Sequence, residues 1–150
     1  MTTWLTAAMM AAACAVSPIE DRAPGVIGPM TGQEPAWIID GSSGHWSGAD
    51  QVIKSLWIFS RKASGTLRIT GHRLDGDGTL RFQNGYGAPR TDALEIADPW
   101  HSMGWPSNAS AEIRATYAFL PNYVIYPTRG CWEITVQLGA DATRITLEIK

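Results

Sequence analysis

A strict two-residue alternation runs through the C-terminal end of the chain. Trp132, Ile134, Val136 and Leu138 interleave with Glu133, Thr135 and Gln137, and beyond Gly139-Ala140-Asp141-Ala142, Ile145, Leu147 and Ile149 interleave with Arg144, Thr146 and Glu148. A period of two sends one set of side chains to a buried face and the other into water. The Gly-Ala-Asp-Ala break has turn chemistry, so the two runs predict an antiparallel hairpin. A hairpin alone is marginal in water. The upstream chain must supply a second layer.

Shorter runs of the same kind precede it. Ala36-Trp37-Ile38-Ile39 predicts a first strand at a sheet edge, and Val52–Ser60 a second with Ile53, Trp57 and Phe59 inward. Thr66–Gly71 sends Leu67 and Ile69 in and Arg68 and Thr70 out. Asp75-Gly76-Asp77-Gly78 then turns the chain, and Thr79–Gln83 returns with Leu80 and Phe82 inward, a second expected hairpin. Ala111–Phe119 alternates with Ile113, Ala115, Tyr117 and Phe119 on one face, Pro121-Asn122 breaks the run, and Tyr123–Tyr126 forms a short strand. Between Asn84 and Ser110 the residues Gly85, Gly87, Pro89, Pro99, Gly104 and Pro106 forbid long elements. A loop of that length is more than a connector.

Composition adds three constraints. With 150 residues, 45% hydrophobic and 17% charged, the chain suits one domain with a core of its own. The net charge of −2 offers no basic field, which excludes nucleic acid as a partner. Seven Trp, fifteen Gly and nine Pro fit a turn-rich β protein.

The first residues are of another kind. Met1–Ala13 is apolar, rich in small residues and free of acidic ones. It is too short to cross a bilayer as a helix, and it resembles the hydrophobic region of an export signal. Ala11-Ala12-Ala13-Cys14 resembles a bacterial lipobox, with Ala11 where Leu is usual, which makes Cys14 a candidate for lipid attachment. The two cysteines, Cys14 and Cys131, also permit one disulfide, and both readings stay open. Pro18, Pro24, Pro29 and Pro35 with Gly25, Gly28 and Gly32 suit an extended tether. The expected organisation is a leader over 1–14, a tether over 15–35 and a folded domain over 36–150.

One passage carries a resemblance. Val124-Ile125-Tyr126-Pro127-Thr128-Arg129-Gly130-Cys131-Trp132-Glu133-Ile134 resembles the entry to the penultimate strand of many bacterial immunoglobulin-like domains. It is similar to the Tyr/Phe-Pro-x-x-Gly-Cys-Trp-Glu ending of exported bacterial proteins of this size whose functions are uncharacterised. The resemblance implies an all-β fold, an immunoglobulin-like antiparallel β-sandwich of about seven to nine strands after a short hydrophobic leader. It implies no catalytic residues, because such sandwiches host unrelated functions.

The residues themselves point away from catalysis. His45, His72 and His101 share no short ligand spacing, so no metal or cofactor is expected. Gly41-Ser42-Ser43-Gly44-His45 lacks the spacing of a nucleophile elbow. A calcium loop starting at Asp75 would place Thr79 and Tyr86 at its fifth and twelfth positions, and neither suits, so the Asp-Gly pairs read as a turn. Trp57 and Trp132 fall on apolar faces as core. Trp46, Trp100 and Trp105 lie in loop sequence, where a large ring is either covered by its own loop or presented to a partner. With His45 and His101 beside them, these are the candidate binding residues. The expectation is a non-catalytic, exported, lipid-anchored module of the cell envelope that contacts a protein. A carbohydrate-binding module is the alternative, and a small metal-binding protein the third.

Overall fold

The computed structural model describes residues 13–20, 29–39, 50–105 and 108–150. Eleven strands occur among them: β1 (Ile19–Glu20), β2 (Met30–Gln33), β3 (Ala36–Ile39), β4 (Gln51–Ser60), β5 (Leu67–Arg73), β6 (Arg81–Gln83), β7 (Arg90–Thr91), β8 (Ala93–Ile96), β9 (Tyr117–Tyr126), β10 (Gly130–Leu138) and β11 (Asp141–Ile149). Two short helices, α1 (Pro99–Ser102) and α2 (Ala111–Thr116), lie between β8 and β9. The strands form two sheets, a larger one in the order β1-β2-β3-β4-β9-β6-β7 and a smaller one in the order β11-β10-β5-β8. Every strand pairing is antiparallel.

The alternation predicts the inner faces correctly. Trp132, Ile134, Val136, Leu138, Ile145, Leu147 and Ile149 are all buried, and they meet Ile38, Trp57, Phe59, Phe82, Leu120 and Tyr126 of the larger sheet in one core. The β10–β11 hairpin forms as expected, but its turn is shorter than the Gly-Ala-Asp-Ala break: Leu138 lies opposite Asp141, leaving Gly139, at φ 62°, and Ala140 in the turn. Tyr126 and Trp132 pack edge to face with centroids 6.0 Å apart, and the Trp132 indole N–H donates to the Thr128 carbonyl. The Tyr-Pro-Thr-Arg-Gly corner thus hands the chain from β9 to β10 while its two aromatic ends plug the core.

Asp75 fastens that corner from a distant loop. Its Oδ1 accepts the Cys131 N–H at 3.1 Å and lies 2.7 Å from Arg73 Nε. The Arg73 guanidinium bonded to it holds its carboxyl below the usual carboxylate range. Gly130 has φ 137°, and a Cβ there would lie 2.7 Å from Asp75 Oδ1. The corner therefore requires glycine for its backbone and for the close approach of the carboxylate.

The larger sheet is covered on both faces. Trp37, Ile58 and Phe119 point away from the main core and, with Met30 and Ile113 of α2, form a second buried cluster. Trp37 meets Tyr117 edge to face at 5.9 Å.

Several expectations are corrected here. β3 is no edge strand, since β2 and β4 flank it. The 15–35 tether is in part sheet: Ile19 and Glu20 pair with Thr31 and Met30, and Met30 and Thr31 are buried. The Thr66–Gln83 hairpin opens after one bridge, His72 with Thr79, and sends β5 and β6 to different sheets. Gly71 permits this, because the Leu80 side chain occupies the space of its missing Cβ. Ala111–Thr116 is helical, with the Ser110 side chain accepting the Ile113 N–H at 3.2 Å as an N-cap. Pro121 does not end β9. Phe119 exchanges both backbone bonds with Gly104 on the side away from β4, so Pro121, two residues on, turns its missing N–H to that side, where β6 reaches only Tyr123.

Of the two readings left open for Cys14, the structure has the disulfide: Cys14 and Cys131 are bonded with Cα atoms 5.5 Å apart. Beyond Cys14 the Ser17 N–H donates to the Thr146 carbonyl at 2.9 Å, and the Thr146 N–H donates to Ser17 Oγ at 2.8 Å. The arm then enters the larger sheet as β1. It crosses from the open side of β11 to the open side of β2, shielding two strand edges that would otherwise template association. Met1–Ala12, the rest of the expected leader, lies outside the described residues.

Candidate functional site

The segment from α1 to Trp105 runs along β9. Pro at the first helical position of α1 starts a single turn, closed by the Met103 N–H donating to the Pro99 carbonyl. Met103 is buried in the main core, and Trp100 packs half-buried against it. Gly104 and Phe119 exchange N–H···O bonds of 3.0 and 3.1 Å. The Trp105 indole N–H donates to the Tyr117 carbonyl at 2.9 Å, which fixes the ring while 38% of the residue stays exposed.

Between the two rings sits Arg61, in the turn after β4. Its guanidinium carbon lies 5.2 Å from the Trp100 centroid and 5.0 Å from that of Trp105, and its Nε donates to the Tyr117 carbonyl at 3.4 Å. Arg114 of α2 approaches Trp105 at 6.0 Å, with its Nε donating to the Ala109 carbonyl. Stacking of a guanidinium on an indole face holds both groups in place and is strengthened by partial desolvation. Beside Trp105 opens a hollow of about 270 Å³ lined by Leu56, Gly104, Trp105, Phe119 and Pro121. It is the uncovered remainder of the outer apolar cluster.

Of the candidate residues, Trp100 and Trp105 are thus brought together. His101 is exposed and takes no part in the stack; its Nδ1 lies 2.6 Å from Asp98 Oδ2. His45 and Trp46 lie outside the described residues. Arg61 and Arg114 were missed by sequence reasoning. Nothing in Ser60-Arg61-Lys62 marks it as a partner of a ring 39 residues later, since only the β4–β9 pairing brings them together. A larger hollow of about 420 Å³ at Asp50, Thr79, Arg81 and Asp92 is polar, and its charges satisfy one another through Arg90–Asp50 at 3.4 Å and Arg81–Asp92 at 4.0 Å. Among the described residues no three His, Cys, Asp or Glu side chains cluster closely enough to hold a metal.

A protein of Bacillus anthracis described as a "putative lipoprotein" superposes with a TM-score of 0.52 and 19% identity, over 90% of this chain and 86% of that one. The likeness is one of fold. No protein-family model matches the chain, and no curated protein does.

Proposed function

We propose that the chain is a non-catalytic, exported binding or accessory domain of immunoglobulin-like build, which contacts a protein partner at the cell envelope through the surface around Trp105. The strand order supports the fold reading: β3-β4-β9-β6 facing β11-β10-β5 follows the two sheets of a constant-type immunoglobulin domain, with β8 added beside β5. A disulfide suits an oxidising compartment outside the cytoplasm.

The observation that carries the functional reading is the exposed, hydrogen-bonded Trp105 held against Arg61 beside an apolar hollow. Trp and Arg dominate the energetic centres of protein interfaces because both present large, rigid contact area. The carbohydrate alternative needs open indole faces for sugar stacking, and the faces turned toward Arg61 are taken. Affinity capture from an envelope fraction tests the proposal. One discrete protein recovered by the native chain and lost with Trp105→Ala is expected. Identical recovery by both chains, or glycan-array binding abolished by Trp105→Ala, counts against it.

A further inference from the structure

We infer that the Trp105 surface is built for an acidic partner: an extended peptide segment in which a carboxylate stands next to an aromatic or aliphatic side chain. This rests on the docking surface proposed above and adds the chemistry of its occupant. The apolar side chain would enter the hollow between Leu56, Phe119 and Pro121, beside the Trp105 ring.

The carboxylate is specified by charge. Arg61 and Arg114 both reach Trp105, and among the described residues neither forms an ion pair. Each uses its Nε on a backbone carbonyl, of Tyr117 and Ala109 respectively, and its terminal nitrogens have no hydrogen-bond partner among the described residues. Glu112, the acidic residue of α2, stands two positions from Arg114, so it leaves the helix on a different side. Among the described residues Arg68, Arg73, Arg81, Arg90 and Arg144 all lie within 4.0 Å of a carboxylate, whereas Arg129, like Arg61 and Arg114, forms no ion pair. Two pre-positioned guanidiniums at the rim of an apolar hollow leave planar donor edges free, and the carboxylate is the group whose geometry matches them.

A displayed random-peptide library, panned on the full oxidised chain, is the test. Enriched peptides should carry Asp or Glu within two positions of an aromatic or aliphatic residue. Arg114→Gln should weaken a selected peptide about tenfold, the scale of one charge-assisted hydrogen bond. Raising salt should weaken it too, and panning on Arg114→Glu should select basic peptides instead, a reversal that damaged folding does not produce. Peptides that need Trp105 but carry no carboxylate and ignore Arg114→Gln overturn this inference and leave the docking surface standing. Peptides indifferent to Trp105→Ala overturn both. Binding of a uronic-acid oligosaccharide in place of peptides, or self-association lost in Trp105→Ala, also overturns it and assigns the face to that occupant.

Discussion

Tyr126 is fully buried between the sheets, and its hydroxyl has no hydrogen-bond partner among the described residues. An unsatisfied buried hydroxyl costs stability, whereas a ring of the same shape without it does not. Tyr126→Phe should therefore leave urea-unfolding stability unchanged or raise it by about 1 kcal/mol. Burial also pushes the phenol above its ordinary value. The resulting stability is whole below about pH 10, where an unfolded tyrosine ionises, and is lost as pH climbs beyond it, so the substitution should extend the alkaline limb. Asp75 works in the opposite sense. Its lowered pKa stabilises the fold above the ordinary carboxylate range, and that stability disappears as pH falls through the folded value. Asp75→Asn, which can still accept the Cys131 N–H, should flatten the acid limb of a plot of unfolding free energy against pH.

Elements differ in how far their sequence announces them. The β10–β11 hairpin was legible because one of its faces is buried and its alternation is undisturbed. Strands β3, β4 and β9 were harder, because Trp37-Ile38-Ile39, Trp57-Ile58-Phe59 and Ala118-Phe119-Leu120 are apolar on both faces. Continuous apolar runs signal a strand covered twice, as the second cluster under α2 shows. The Ala111–Thr116 run fits either period, and the Ser110 cap decides for helix. Why β5 and β6 part company was not legible, since the chain's crossing between sheets depends on Leu80 packing into Gly71. The N-terminal arm was misread for a related reason: Pro and Gly composition cannot distinguish a free tether from a strap laid along two edges. The disulfide that fixes the strap spans 117 residues. In the chain-entropy model, closing such a loop is worth about 5 kcal/mol. The Cys14→Ser/Cys131→Ser pair should lose stability on that scale in guanidinium, and exchange at the Thr146 amide should quicken by more than the global loss explains.

For the whole molecule, only half of the candidate surface was legible. Loop tryptophans stand out in any sequence, so Trp100 and Trp105 were named as candidates, while Arg61 and Arg114, which stack beside Trp105, come from other elements and bear no local mark. What holds the molecule together is the core shared by the two sheets, with the arm locked to β10 and the Trp105 segment laid on β9. Alkylation and peptide mass spectrometry of the chain isolated from its host, without reduction, tests that lock directly. The expected result is a linked pair of peptides containing Cys14 and Cys131, with both thiols open to alkylation only after reduction. A lipid-modified Cys14, or a Cys131 that alkylates without reduction, would contradict it.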